Sequence, residues 1–112
     1  MVKVTKKKYL ILFLVVMIIS PVLYVQINKM RYANKVSDYL MEEKNYKKEE
    51  IQSIKGIWGK KMPAFYVDVI FENEQNIIYS YFAHNQVNQF EFTTIDGTAV
   101  SIDELKNYEP LN

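Results

Sequence analysis

Few side chains in this sequence could take part in catalysis or hold a metal ion. His84 is the only histidine, and the chain contains no cysteine. A general base needs a nucleophile or an orienting carboxylate beside it, and a typical zinc site needs several histidine or cysteine ligands. The sequence shows neither arrangement, so we predict no catalytic residue, no metal site and no bound cofactor. We interpret His84 as a solvated turn residue, since it precedes Asn85 in a polar turn.

The carboxylates and glycines also lack the spacing of a known ligand site. Asp68, Glu72 and Glu74 offer oxygen atoms, but their spacing is not that of a calcium-binding loop. The three glycines are too scattered to form a loop that binds phosphate. An enzyme such as a hydrolase is therefore the weaker alternative, and we predict a protein without enzymatic activity.

Aromatic side chains remain as candidates for a binding surface. In the clearest predicted strand, alternation places Val67 and Val69 on one face of the sheet and Tyr66 on the other. We expect Tyr79 and Tyr81 of the next strand to share the outward face with Tyr66. Tyrosine is enriched at protein interfaces, so the three tyrosines form a candidate partner-binding surface. The alternative is ordinary side-chain packing between neighbouring strands on a partly solvent-exposed face of the sheet.

An N-terminal segment is long and apolar enough to attach these residues to a membrane. The run from Tyr9 to Ile27 has no charged residue, and as a helix it rises about 28 Å, close to the thickness of a bilayer's hydrocarbon core. Pro21 is tolerated in a membrane helix, where we expect a kink. Four lysines precede the run, so the positive-inside rule predicts a cytoplasmic N-terminus and a C-terminal domain outside the cell.

A secreted protein released by cleavage of a signal peptide is the alternative. The basic start fits a signal peptide, but the apolar run exceeds the usual ~7–15 residues and no A-x-A-like cleavage site follows it. We therefore predict three parts. These are a cytoplasmic basic stub at residues 1–8, a transmembrane helix at 9–27 in contact with the lipid bilayer, and a small extracytoplasmic domain at 28–112.

Composition limits the kinds of domain and partner. Small eukaryotic secreted modules tend to be rich in disulfides, so a domain without cysteine fits a cytoplasmic domain or a bacterial cell-surface domain better. The only basic block is the N-terminal one, which we interpret as a topology signal rather than a nucleic-acid site. We predict a non-enzymatic interaction or regulatory module that binds a membrane or cell-wall protein and no nucleic acid.

The soluble part is predicted to be one α+β domain. Residues 28–44 form an amphipathic helix whose apolar side holds Met30, Ala33, Val36 and Leu40. Three or four short strands follow, joined by hairpin-length loops, so an antiparallel meander with the helix across one face is the economical packing. The predicted strands cover residues 51–58, 64–72, 77–83 and 87–92, with turns at 59–63, 72–76 and 84–86.

Individual residues predict where elements end or approach each other. Asn45 can take the left-handed conformation that ends a helix. Gly56, inside the first strand, suggests a bulge or the close approach of another backbone. Ser101 with Glu104 resembles a capping box, so we predict a short C-terminal helix over residues 102–108.

Two consecutive segments carry a family resemblance. A lysine-flanked anchor is followed by the segment YLMEEKNYKKEEIQSIKGIWGKK, which begins in the predicted helix, and then by the strand segment FYVDVIFENEQNIIYSYF. Over residues 5–92 the chain resembles the small membrane-anchored proteins of Gram-positive bacteria grouped as domain-of-unknown-function family 3139. The resemblance implies a bacterial single-pass surface protein. That family has no assigned activity, so the resemblance adds no functional residue.

Overall fold

The N-terminal helix runs from the apolar segment into the domain without a break. The computed structural model describes residues 5–59 and 65–110. Helix α1 spans Lys6–Asp38, and one π-helical turn, Tyr39–Glu43, extends it. The helix is continuous through Pro21 and past residue 27. The kink at Pro21 and the end of the transmembrane segment after residue 27 stay predictions. Asn45 follows with a φ of 61°, which confirms the left-handed conformation predicted for it.

The apolar half of α1 is exposed on all sides. Its large apolar side chains between Tyr9 and Tyr24 are 43–71% exposed. A helix that is hydrophobic all round needs an apolar environment to surround it. By length and composition, this helix could span a membrane or act as a signal sequence.

A four-stranded antiparallel sheet follows the helix in the order β1-β2-β3-β4, which confirms the predicted meander. A short 3-10 turn, Lys48–Glu50, leads into the first strand. The predicted turn at 59–63 lies, apart from Gly59, outside the described residues. The strands are β1 Ile51–Trp58, β2 Phe65–Phe71, β3 Glu74–Phe82 and β4 Asn88–Thr94.

One face of the sheet packs against the C-terminal half of α1. The side chains of Val36, Leu40, Val67, Val69 and Phe71 are fully buried between these two layers, as the sequence predicts. The sequence predicts Met30 on the same side of the helix, which is wrong, because its side chain is 66% exposed. With 3.6 residues per turn, Met30 lies about 120° around the helix from Val36, so it faces away from the sheet.

The predicted C-terminal helix does not form. A single 3-10 turn, Ile102–Glu104, is all that remains of it, and the Ser101 side chain makes no capping hydrogen bond. The chain then continues without helical structure to residue 110, with Asn107 buried. Hydrogen bonds to the sheet hold this segment, so it packs as part of the core.

Candidate functional site

Tyr79 and Tyr81 point into the core rather than to the outward face. Each is fully buried, and their partners across the strand pair, Val69 and Val67, are fully buried as well. Residues directly opposite each other on antiparallel strands share a face of the sheet. The prediction that Tyr79 and Tyr81 share a surface with Tyr66 is therefore wrong, and a partner cannot contact them in the folded domain.

An irregularity in the pairing of β2 with β3 reverses the expected faces. Val69 pairs with Tyr79, and Phe71 pairs with Glu74. A step of two residues along β2 therefore corresponds to a step of five residues along β3. The register shifts by an odd number, and an odd shift moves each later side chain to the opposite face of the sheet. Alternation along β3 is visible in the sequence, but the position of this bulge is not.

Tyr66 lies on the open face of the sheet, where it meets two phenylalanines. Its ring centroid is 6.1 Å from that of Phe90 in an edge-on arrangement, and Phe90 stacks on Phe82 at 4.1 Å. A second register shift, between Ser80 and Tyr81, leaves Phe90 as the extra residue of β4. We call Tyr66, Phe82 and Phe90 the open-face cluster. The sequence does not single out the two phenylalanines, because their orientation depends on the irregular register.

A partly buried carboxylate lies on the same face as the cluster. Asp68 Oδ1 accepts a hydrogen bond of 2.7 Å from the Ser80 hydroxyl, which lies directly opposite on β3. Desolvation by burial raises the pKa of Asp68, while the Ser80 hydrogen bond and the positive charge of Lys55 oppose the rise. The open face therefore combines aromatic surface with one hydroxyl-bound carboxylate.

A set of hydrogen bonds ties the C-terminal segment to buried tyrosines. The Tyr46 hydroxyl donates to Asn107 Oδ1 at 2.9 Å, and the Asn107 backbone N–H donates to the Tyr79 hydroxyl at 3.3 Å. Gln89 Nε2 donates to the Tyr81 hydroxyl and to the Asn107 carbonyl, each at 3.0 Å. Among the described residues, every buried side-chain nitrogen and oxygen has a hydrogen-bond partner. This tail network therefore closes the core and leaves no orphaned polar group aimed at a ligand.

Two glutamates accept hydrogen bonds at the rim of the tail network. The hydroxyls of Tyr39 and Tyr81 both donate to the Glu109 carboxylate, and the Tyr79 hydroxyl donates to Glu74. Burial is the largest cause that raises the pKa of each of these three tyrosines. The glutamates add to the rise because a phenol must keep its proton to donate. The three tyrosines therefore keep their protons and donate these hydrogen bonds in the folded domain.

Raising the pH above about 10 is expected to destabilise the domain. Tyr39, Tyr79 and Tyr81 have a higher pKa in the folded protein than the ordinary value near 10, so the unfolded chain loses protons first. Their stabilisation is complete below that value and is lost progressively above it. Thermal melting followed by circular dichroism, together with tyrosinate absorbance, measures this. If the buried tyrosines ionise near pH ~10 while the domain stays folded, the prediction is wrong.

His84 lies in an exposed bend, as the sequence predicts. Its Nδ1 atom is 3.3 Å from the Tyr32 hydroxyl. Lys35 Nζ donates to the backbone carbonyls of Ala83 and His84 at 3.2 and 3.4 Å. These contacts attach the β3–β4 connection to α1, which gives this region a structural role.

A polar groove of about 550 Å³ lies between the last turns of the helix and the β3–β4 connection. Its lining includes the carboxylates of Asp38, Glu42 and Glu43 and the ammonium of Lys35. In the part of the chain that the structure describes, no group of three or more His, Cys, Asp or Glu side chains is placed to hold a metal ion. We therefore assign no metal centre to this groove.

Comparisons with known proteins add neither a family nor a function to this geometry. The resemblance to domain-of-unknown-function family 3139 stays a prediction. The fold consists of an exposed apolar helix that continues into a small α+β domain with an open aromatic face. No protein-family model, no curated protein and no solved structure matches the chain.

Proposed function

We propose that this chain is a single-pass membrane protein of the bacterial surface that works by binding rather than by catalysis. Its N-terminus lies in the cytoplasm, residues 9–27 contact lipid, and the domain lies outside. The open-face cluster contacts an extracytoplasmic domain of another protein in the same membrane.

Packing of the sheet against the apolar run is the observation that supports a retained anchor. The Phe65 ring centroid lies 6.4 Å from that of Tyr24 and 5.4 Å from that of Tyr32, both in edge-on arrangements. Tyr24 belongs to the apolar run, so the domain contacts the last turns of the anchor as well as the helix beyond it. A signal peptide is removed from the mature protein, and its loss would take this contact away from the folded domain.

The uncovered side of the sheet supports a binding role. Helix α1 covers one face, and the half-buried open-face cluster lies on the other. Aromatic residues are enriched at protein interfaces, and the Tyr66 hydroxyl can orient a partner by hydrogen bonding. Because the helix passes into the domain without a loop, it ends about 25 Å beyond residue 27. That distance limits the reach of the open face to proteins close to the same membrane.

A photo-reactive phenylalanine analogue at position 66 is expected to capture a membrane protein in native cells. The matched control carries the analogue at Ile102, which is 52% exposed on the C-terminal segment. Cells are irradiated first, and the membranes are washed at alkaline pH afterwards, so that only integral proteins and their crosslinked products remain. The chain should stay in the pellet at full length, and protease added to intact protoplasts should remove its domain.

Each part of the proposal has its own contrary result. Release of a shortened chain into the medium would contradict the anchor, and protection of the domain from protease would contradict the orientation. Equal capture at positions 66 and 102 would contradict the open face as the binding surface. A product made of two copies of this chain would replace the proposed partner with self-association.

A further inference from the structure

We propose that the membrane-side end of the sheet, at Trp58, sits in the interfacial layer of the same bilayer that the anchor crosses. This inference rests on the proposed anchoring of α1. It gives the folded domain its own contact with lipid headgroups, in addition to the contact that the transmembrane segment makes. The domain is then held on the membrane at two points.

The sheet runs along the anchor, with one end close to the apolar run. Phe65, at the start of β2, packs against Tyr24, whereas Phe71, at the end of β2, packs against Tyr46 with ring centroids 4.8 Å apart. Strand β2 therefore runs away from the proposed membrane. Strand β1 is antiparallel to it and pairs Trp58 with Phe65, so Trp58 is at the membrane-side end of β1.

Gly56 fixes the depth of Trp58 along the anchor. It lies directly against the backbone of Lys29, just beyond the end of the apolar run at Ile27. The two strand residues from Gly56 to Trp58 advance about 7 Å, which corresponds to four or five residues of helix. Trp58 is therefore level with the last turn of the apolar run, where hydrocarbon gives way to headgroups.

The exposed side chains at this level have the chemistry of a membrane interface. Trp58 is 53% exposed and Tyr24 is 64% exposed. Tryptophan and tyrosine are enriched at both surfaces of a membrane, because the ring is apolar and its N–H or O–H group finds polar partners. Lys29 and Arg31 follow within the next turns of α1 and supply positive charge at the level of lipid phosphates.

Because Trp58 is the only tryptophan, its fluorescence reports this contact without labelling. The full chain is reconstituted into phosphatidylcholine vesicles that carry a quencher at a shallow or a deep acyl position. We expect the shallow label to quench the fluorescence of Trp58 more strongly than the deep label does. Iodide added on both sides of the membrane should quench it only weakly.

The control variant combines Trp58→Phe with Ile95→Trp. Ile95 is exposed and hydrogen-bonded to Asn76 near the far end of the sheet. We expect the tryptophan at position 95 to emit at a longer wavelength than Trp58 and to be quenched strongly by iodide.

The possible results separate this inference from the anchor. Flotation of the vesicles after an alkaline wash reports the anchor whatever Trp58 does. If the chain floats but Trp58 is quenched by iodide as strongly as the control tryptophan, the interfacial contact is overturned and the anchor stands. If the chain does not float, both proposals are overturned. Stronger quenching by the deep label would place Trp58 in the hydrocarbon and would also contradict the inference.

Discussion

A chain with aspartate in place of Val69 is expected to have a largely unfolded domain. Val69 is fully buried in the centre of the sheet, between Ile54 of β1 and Tyr79 of β3. A carboxylate placed there has no cation beside it, and burying an unpaired charge costs several kcal/mol. A domain of this size has about 5–10 kcal/mol of stability in total, so the loss is a large part of it. Urea unfolding in detergent, followed by circular dichroism, measures the effect.

Asp68→Asn is the matched control for this variant, because Asp68 is adjacent to Val69 in β2 and lies on the opposite face of the sheet. Asparagine keeps an oxygen that accepts the hydrogen bond from Ser80. Since desolvation already raises the pKa of Asp68, removing the charge adds little strain. We expect the free energy of unfolding to change by less than about 1 kcal/mol. Equal losses in the two variants would mean that the faces of β2 are assigned wrongly.

Gly56→Ala is expected to separate the sheet from α1. A Cβ atom at Gly56 would lie 2.7 Å from the carbonyl carbon of Lys29 and 2.8 Å from its Cα. These are backbone atoms of a helix, so they cannot rotate away as a side chain can. Relief requires the helix and sheet to move apart, which opens the core between Val36 and Val67. Overpacking of this kind costs about 1–3 kcal/mol or more, equivalent to a fall in Tm of roughly 10 °C.

Gly97→Ala provides the control with the same chemical change. Gly97 has a φ of 77°, but a Cβ atom there would meet no other atom within 4 Å. Its cost is limited to the left-handed backbone of about 1–2 kcal/mol. Thermal melting in detergent compares the two variants, and intramolecular crosslinking between α1 and β1 reports whether the layers separate. If the Gly56 variant keeps the crosslink and melts no lower than the Gly97 variant, the close approach is not important for packing.

Local patterns in the sequence were sufficient to predict most elements. Strand β1 has the predicted bounds, and Asn45 ends the helix as expected, because both depend on neighbouring residues. A glycine inside a strand predicts either a bulge or a close backbone approach, and at Gly56 the structure shows the close approach, to the backbone of Lys29. The α+β architecture followed from the order of these elements.

The errors concern residues whose orientation depends on distant parts of the chain. The side of the helix that holds Met30 is decided by where the sheet docks. The burial of Tyr79 and Tyr81 depends on a bulge that reverses the register. The segment after Leu105 stays non-helical because Asn107 forms hydrogen bonds with Gln89 of the sheet and with Tyr46, which precedes the sheet. A capping motif at Ser101 carries no information about these distant partners. The predicted surface of three tyrosines is wrong because of this bulge between β2 and β3.

With residues 9–27 anchored in the membrane as proposed, the continuity of α1 with the domain would link the position of the open face to the bilayer itself. Transmembrane helices change their tilt with the thickness of the membrane around them. The helix and its π turn rise about 28 Å from residue 24 to residue 43, so a change in tilt of about 10° would swing that end by about 5 Å. The domain would follow this movement as a rigid attachment, since no loop absorbs it. Lipid composition would thereby set the height and angle at which the domain is presented.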